Sequence, residues 1–425
     1  MSPGPAIARP EGHALFDTPL RVLFVAPYVP APIRVRPFQL LRHMAARGHA
    51  VTLVCPAHGP EDAAALAALR PYCVTVCVPR SRTATGRAYL TALPSSLPLQ
   101  AAHCLTPALI EAVRTAMASG QFDIVHIEHL RGAEVARAAA AGLPDAPPLL
   151  LDAVDSISLL FERALRRSPS PLTKAMALLD LARTRRYEAA YGRSFAHVVI
   201  TSPEDRWALH TLRAQFGEAS GAPVTVVPNG VDSDYFRPAD AERDPETILF
   251  SGKMSYHANE AAALYLLHEV MPLVWRRRPT ARVVIAGARP GARLRAFGRN
   301  PRVEVTGYVP DLRPYLARAT VAVAPITYGV GVQNKVLEAL ASAAPVVAAR
   351  QATVALATRP GVELLVADDA PAFARCIVDL IEDQAGRAAL GQAGRAYIQR
   401  NHSWGGSAAL LERCYAAALQ IALPP

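Results

Sequence analysis

RVLFVAPYVPAPIRVRPFQLLRHMAARGHAVTLVCP, residues 21–56, holds the unit that decides the fold. RVLFVAP (21–27) is apolar and β-branched and is stopped by proline, the composition of a strand buried on both faces. FQLLRHMAARGH (38–49) spaces its apolar residues along one helical face, and Gly48 is placed to end that helix in the left-handed conformation. AVTLVCP (50–56) is a second buried strand. Strand, helix and strand in this order make a βαβ unit, which dictates parallel pairing and a right-handed crossover.

Outward from that unit, strand-like runs recur at VTVCVP (74–79), FDIVHIE (122–128), PPLLLDA (147–153) and HVVITS (197–202), with a long helix over roughly 170–191. The pattern restarts at TILFSG (247–252) and continues through ARVVIAG (281–287), VEVTGYV (303–309), TVAVAP (320–325), PVVAA (345–349) and VELLVAD (362–368). Two successive sets predict an α/β protein of two Rossmann-like, doubly wound domains facing across a cleft, with ligands at the carboxyl ends of the strands. The expected division is a loose tail over 1–18, a first domain over 19–201, a hinge near Thr201–Ser202 and a second domain over 202–402. Residues 403–425 read as an amphipathic helix that packs back on the first domain.

A chain of 425 residues that is 51% hydrophobic has enough apolar material for two cores. Its net charge of +10 suits an anionic membrane face or phosphate-bearing substrates. The arginines are dispersed, and no basic run interleaved with aromatics marks a nucleic-acid binder. The six cysteines (Cys55, Cys73, Cys77, Cys104, Cys376, Cys414) form no CxxC pair, so neither a disulfide framework nor a zinc site is expected. No apolar run has the length of a membrane span, and the N-terminal stretch lacks the apolar segment of a signal peptide. The expected location is the cytoplasm, with peripheral contact at the inner membrane face. PYVPAPIRVRP after the first strand is no dinucleotide fingerprint, and no Walker loop appears, which argues against nicotinamide oxidoreductases and P-loop ATPases.

Of 45 Lys+Arg, only Lys174, Lys253 and Lys335 are lysine. Lys335 lies in VAPITYGVGVQNKVLEAL (323–340), where a strand ends at Pro325 and a helix is expected to begin near Val332. Gly329 and Gly331 allow unusual dihedrals and close approach of a ligand to backbone amides. Free N–H groups at a helix start favour anions such as a diphosphate. Lys335 and Glu338 are three apart and share a helical face. The lysine suits a phosphate as a compact charge, and the carboxylate suits a vicinal diol such as ribose.

On the other side, PAPIRVRP (30–37) places Arg34 and Arg36 to meet a phosphate on donor or acceptor. FDIVHIEHLRGA (122–133) clusters His126, Glu128 and His129 at a strand end. Asp152 and Asp155 end the next strand and are expected to cap a helix.

These segments carry a resemblance. GVGVQNKVLEALASAAPVVA (329–348), VPNGVDSDYF (227–236), ARVVIAG (281–287), VEVTGYVPDLRPYLARATVAVAP (303–325) and RGHAVTLV (47–54) resemble the retaining glycosyltransferases of the GT-B fold, group 1 or family 4 type. The resemblance implies transfer of a sugar from a nucleotide-diphosphate sugar to a glycan or lipid-linked acceptor. It implies no cofactor or metal, and the leaving diphosphate itself takes the acceptor's proton. By it Glu338 binds the donor ribose, and Gly331, Val332 and Lys335 contact the diphosphate, with Gly329 and Asn334 on the same loop and helix. Lys253 also faces the diphosphate, Val309 reads the base through its backbone, and His126 lies by the donor sugar. Three positions depart from the family pattern: Val330 replaces a glutamate, Asn259 replaces a basic residue, and Glu128 stands where a second histidine is common. A sugar-nucleotide 2-epimerase of the same fold, or a non-catalytic nucleotide-sugar-binding homologue, is the alternative.

Overall fold

Seven short strands build the first sheet: β1 (Arg21–Val25), β2 (Ala50–Ala57), β3 (Val74–Pro79), β4 (Ile124–Glu128), β5 (Leu149–Val154), β6 (His197–Ile200) and β7 (Val224–Val226). Six build the second: β8 (Thr247–Ser251), β9 (Arg282–Ala286), β10 (Val303–Gly307), β11 (Val321–Ala324), β12 (Val346–Ala348) and β13 (Leu365–Val366). The structure is a computed structural model that describes residues 16, 18–32, 34–79, 82–239 and 242–420. The tail expected over 1–18 lies outside the described residues except at Phe16 and Thr18.

The sheet orders are β3-β2-β1-β4-β5-β6-β7 and β10-β9-β8-β11-β12-β13. Every pairing between these strands is parallel. Each sheet therefore winds both ways from a switch point, β1/β4 in the first and β8/β11 in the second, where the loops diverge and leave a crevice for ligands. Both faces of each sheet are covered by helices, which is why strands such as VLFV and LLLD are buried throughout.

Helix Val35–Ala46 starts earlier than the sequence suggested. Pro37 is accommodated in its first turn, where amide hydrogens have no partner within the helix. Gly48 has φ +95°, as its place after the helix requires.

Two compact units emerge. Of the described residues, the first comprises those up to Ser158, Leu179–Pro228 and those from Trp404 onward; the second comprises Leu159–Leu178 and those from Asn229 to Ser403. The hinge expected near Thr201–Ser202 is corrected: Ser202 caps helix Pro203–Gln215 through its hydroxyl, which accepts from the Asp205 amide at 3.0 Å. That helix is the crossover to β7, whose Val224–Val226 pair with Val198–Ile200. The boundary thus falls after Pro228. Residues 159–178 join the second unit because Ala164 and Ala177 pack with Ala258, Ala261 and Tyr328. Helix Trp404–Ala418 contributes Trp404, Leu411 and Tyr415 to the same core as Phe24 and Leu53 of the first unit.

Candidate active site

In the second unit the switch point gathers the ends of β8 and β11. Gly252 and Gly287, which follow β8 and β9, have φ +150° and +153°. A Cβ at Gly287 would stand 1.7 Å from the Gly252 carbonyl oxygen, and one at Gly252 would stand 2.9 Å from Asn259 Nδ2 and 3.3 Å from Lys335 Cε. The two glycines thus let the β8 turn lie against its neighbour and against the lysine.

Lys335 occupies the first turn of helix Asn334–Ala341, half-buried, with its ammonium 5.6 Å from the centre of the Phe250 ring. Nζ donates to Asn259 Oδ1 at 2.9 Å and to Gln333 Oε1 at 3.3 Å. Burial lowers its pKa to about 8, opposed by the Glu338 charge. Burial raises Glu338 to about 7, opposed in turn by Lys335. Asn259, 7% exposed, also donates from Nδ2 to the Lys253 carbonyl at 3.1 Å. Lys253 itself is exposed at the β8 end.

The turn before the helix is left-handed at Gly331, with φ +66°, whereas Gly329 does not need a positive φ. Val332 buries its side chain in the core. Asn334 Oδ1 accepts from Asn229 Nδ2 at 3.2 Å. Val309 follows β10, half-buried, on the same carboxyl edge of the sheet. The elements that carry Lys335, Glu338, Gly331, Val332, Asn334, Lys253 and Val309 therefore end or begin on one sheet edge. Sequence reading took Asn259 only as a lost charge and missed Gln333, Gly252 and Gly287; the signal for the glycines was that TILFSG and ARVVIAG both end in glycine.

The first unit assembles a separate, buried cluster at β4 and β5. Arg36, 4% exposed, donates from Nε to Asp152 Oδ2 at 2.8 Å and from Nη1 to the Val227 carbonyl at 3.0 Å. This corrects two expectations: Arg36 is the partner of a buried carboxylate and not a loop cation for phosphate, and Asp152 is that partner and not a helix cap. Asp155 instead accepts from the Thr201 hydroxyl at 3.1 Å. Arg34 turns onto its own loop, donating to the Val29 carbonyl at 2.7 Å with its guanidinium 4.5 Å from the Tyr28 ring centre.

His126 has no exposed surface. Its ring stacks on Phe24 at 4.3 Å, and Nδ1 shares a hydrogen bond with the Tyr415 hydroxyl at 3.0 Å. Burial, reinforced by Arg36, lowers its pKa to about 3, so it is neutral. The expected contact with a donor sugar is corrected to a core position, because the terminal helix brings Tyr415 over it. Glu128, at the strand end, is 1% exposed and accepts from the Tyr28 hydroxyl at 3.3 Å. Burial and then the Asp152 charge push its pKa well up, opposed by Arg36 and the Tyr28 hydrogen bond. His129 follows with φ +63°, a left-handed non-glycine residue that marks local strain; burial, then Arg131, lowers it to about 3.

His126, Glu128 and Asp152 offer ligand atoms within 4.8 Å of one another. The Arg36 guanidinium already bonds the Asp152 oxygen, so a divalent ion would have to displace a fixed cation. The cluster is an internal ion pair of Arg36 and Asp152 beside a buried carboxyl and a neutral imidazole.

Two family models match the chain: "Glycosyltransferase Family 4" over residues 35–235 and "Glycosyl transferases group 1" over residues 245–383. The phosphatidyl-myo-inositol mannosyltransferases of Mycobacterium tuberculosis and Mycobacterium bovis are 27% identical to it over 417 residues, covering 93% of this chain and 96% of theirs. Among solved structures, sucrose-phosphate synthase from Thermosynechococcus elongatus aligns with a TM-score of 0.69 at 18% identity, covering 93% of this chain and 98% of that one. The Anabaena protein HepE in complex with UDP aligns with a TM-score of 0.63 at 16% identity, covering 93% of this chain and 99% of its own. At these identities the structural likeness is one of fold.

Proposed function

Because the chain belongs to the group 1, family 4 glycosyltransferases of the GT-B fold, we propose that it moves a hexose from a nucleoside-diphosphate sugar to a lipid-linked or glycan acceptor with retention of anomeric configuration. The observation that carries this reading is the half-buried Lys335 ammonium at the start of helix Asn334–Ala341, behind the left-handed Gly331 and held by Asn259. A diphosphate at such a helix start meets free amides and a compact positive charge together.

In the proposed reaction the bond between the anomeric carbon and the donor phosphate oxygen breaks, and a bond from that carbon to the acceptor oxygen forms. The acceptor's proton passes to the leaving diphosphate on the same face. The protein's share is positioning and stabilising the charge that grows on the leaving group, a class of contact worth ~2.7–4 kcal/mol of barrier. Lys335, Lys253 and the loop amides fill that role, and Glu338 accepts from the ribose hydroxyls. The chemistry needs no metal or other cofactor.

A lipid-borne acceptor is supported by the relatives named phosphatidyl-myo-inositol mannosyltransferase. It is supported also by helix Pro171–Ala189, which exposes Leu172, Met176 and Leu179 in one row while its carboxylates, Asp180 and Glu188, are buried. Lys174 and Arg186 lie on the same helix. An outward apolar row with only basic charge at the surface suits an anionic leaflet. No helix among the described residues is long and apolar enough to cross a membrane.

The test incubates the protein with UDP-, GDP- and ADP-sugars and with vesicles that carry phosphatidylinositol or polyprenyl-diphosphate glycans. Transfer to lipid with the donor's anomeric configuration, read by NMR, is the expected result. Free sugar released without an acceptor would point to the epimerase, and an inverted product would overturn retention.

A further inference from the structure

The charged face of helix Ile157–Arg167 borders a pocket of about 260 Å³ lined by Leu159, Glu162, Arg163, Arg166, Arg167 and Gln351. From that face Arg163 Nη1 donates to the Gly329 carbonyl at 2.6 Å, and Arg167 Nη1 donates to the Thr327 carbonyl at 3.1 Å. Gln351 Nε2 adds a longer bond to the Gly329 carbonyl at 3.4 Å. Between these two points Tyr328 is buried, stacked on His257 at 5.5 Å, with its hydroxyl bonded to His257 Nδ1 at 2.8 Å and to Ser168 Oγ at 3.3 Å.

A peptide unit is planar and trans, so a carbonyl and the N–H that follows it point in opposite directions. With the Thr327 and Gly329 carbonyls held on the arginine side, the Tyr328 and Val330 N–H groups are turned to the other side of the loop. A segment reading GVG has little conformational preference of its own. Donors in such a loop serve a ligand well only when their directions are set before it arrives.

We propose that Arg163, with the more exposed Arg167 as a lesser partner, is a positioning residue of the donor site. It sets the peptide planes of the glycine-rich loop so that the loop amides face the diphosphate sugar, without touching the donor itself. This inference rests on the reading of that loop as donor-binding.

The test uses the full-length protein, with UDP, GDP and ADP as calorimetric probes. A parent protein that binds none of them overturns the donor reading and this inference with it. Where the parent binds, Arg163→Gln is expected to weaken that nucleotide about tenfold, the scale of one charge-assisted bond. It is also expected to raise the donor KM and leave the acceptor KM unchanged. Arg163→Lys still donates to the carbonyl and is expected to regain part of the affinity; it carries the test if the glutamine variant does not fold. Guanidinium ion can enter the pocket and is expected to restore Arg163→Ala while leaving the parent unchanged. Arg166→Gln, on the same face and exposed, is the control and is expected to bind as the parent does. Parental affinity and donor KM in Arg163→Gln would overturn this inference alone, as would equal losses in both KM values with a lowered melting temperature.

Discussion

Asn259 Oδ1 accepts a hydrogen bond from Lys335 Nζ at 2.9 Å, and the same carboxamide donates through Nδ2 to the Lys253 carbonyl at 3.1 Å. A neutral side chain thus ties the helix after β11 to the turn after β8, at the position where the family pattern has a cation. A cation at 259 would stand against the Lys335 ammonium in a half-buried place, where like charges repel strongly. In the proposed donor site, asparagine gives up one charge toward the diphosphate and in return holds the remaining one in direction.

Lys335→Arg keeps the charge but is expected to lower turnover roughly tenfold or more, because a broad guanidinium does not fit where Lys335 Cε already lies close to Gly252. Lys335→Gln is expected to lose more, up to ~2.7–4 kcal/mol of barrier. Asn259→Ala should fall between the parent and Lys335→Gln. Steady-state kinetics on one nucleotide sugar ranks the three; parental turnover in Lys335→Arg would remove the lysine from the site.

Donor affinity should follow a bell in pH. In the proposed site Glu338, raised to about 7, accepts from both ribose hydroxyls at full strength once it is ionised, so affinity rises as pH passes that value. Lys335, lowered to about 8, loses its charge above it, so affinity falls again. Calorimetry with an intact nucleotide sugar, whose diphosphate does not titrate in this range, measures the curve. Glu338→Gln should abolish the acid limb, and Glu338→Ala should weaken binding by about 1.5–3 kcal/mol at the optimum.

Gly287→Ala should destabilise the second unit by about 3 kcal/mol or more, since its Cβ would collide with the Gly252 carbonyl and φ is +153°. Gly298→Ala, with nothing within 4 Å of the added carbon, should be nearly neutral. Melting temperatures of the two variants decide whether the paired glycines are a steric requirement.

Glu412 of helix Trp404–Ala418 accepts from Arg47 Nη2 at 2.6 Å and pairs with His49 Nε2 at 2.8 Å. Burial pushes its pKa up, but the bonds from His49 and Arg47 prevail and hold it at about 2, against 4.5 in the unfolded chain. A depressed carboxylate contributes stability that is complete above its unfolded value and is lost as pH falls through its folded one. The parent should therefore weaken between about pH 4.5 and 2. Glu412→Gln should cost ~3–5 kcal/mol at neutral pH and lose this limb of the pH dependence, as followed by urea unfolding.

Strand and helix periodicity is a property of neighbouring residues, which is why RVLFVAP, TILFSG, the helix after GVG and the doubly wound pattern were legible in the chain alone. Lys335 and Glu338 were legible for the same reason, being one helical turn apart. β7 was not: three residues, VTV, carry too little pattern, and only pairing with β6 makes them a strand. Depth was not legible either. His126 reads as a strand-end histidine, and it is the packing of Phe24 and of Tyr415, 289 positions away, that makes it a core residue. Arg36 and Asp152, 116 positions apart, and Lys335 and Asn259, 76 apart, are partners only because strand order brings the elements that carry them to one edge of a sheet. Residue type and spacing determined what chemistry this protein carries. The tertiary structure decided which of those groups are held against a partner, which are buried beyond reach, and which stand where a ligand meets them, because burial and pairing depend on strand order, and strand order is not a local property of the chain.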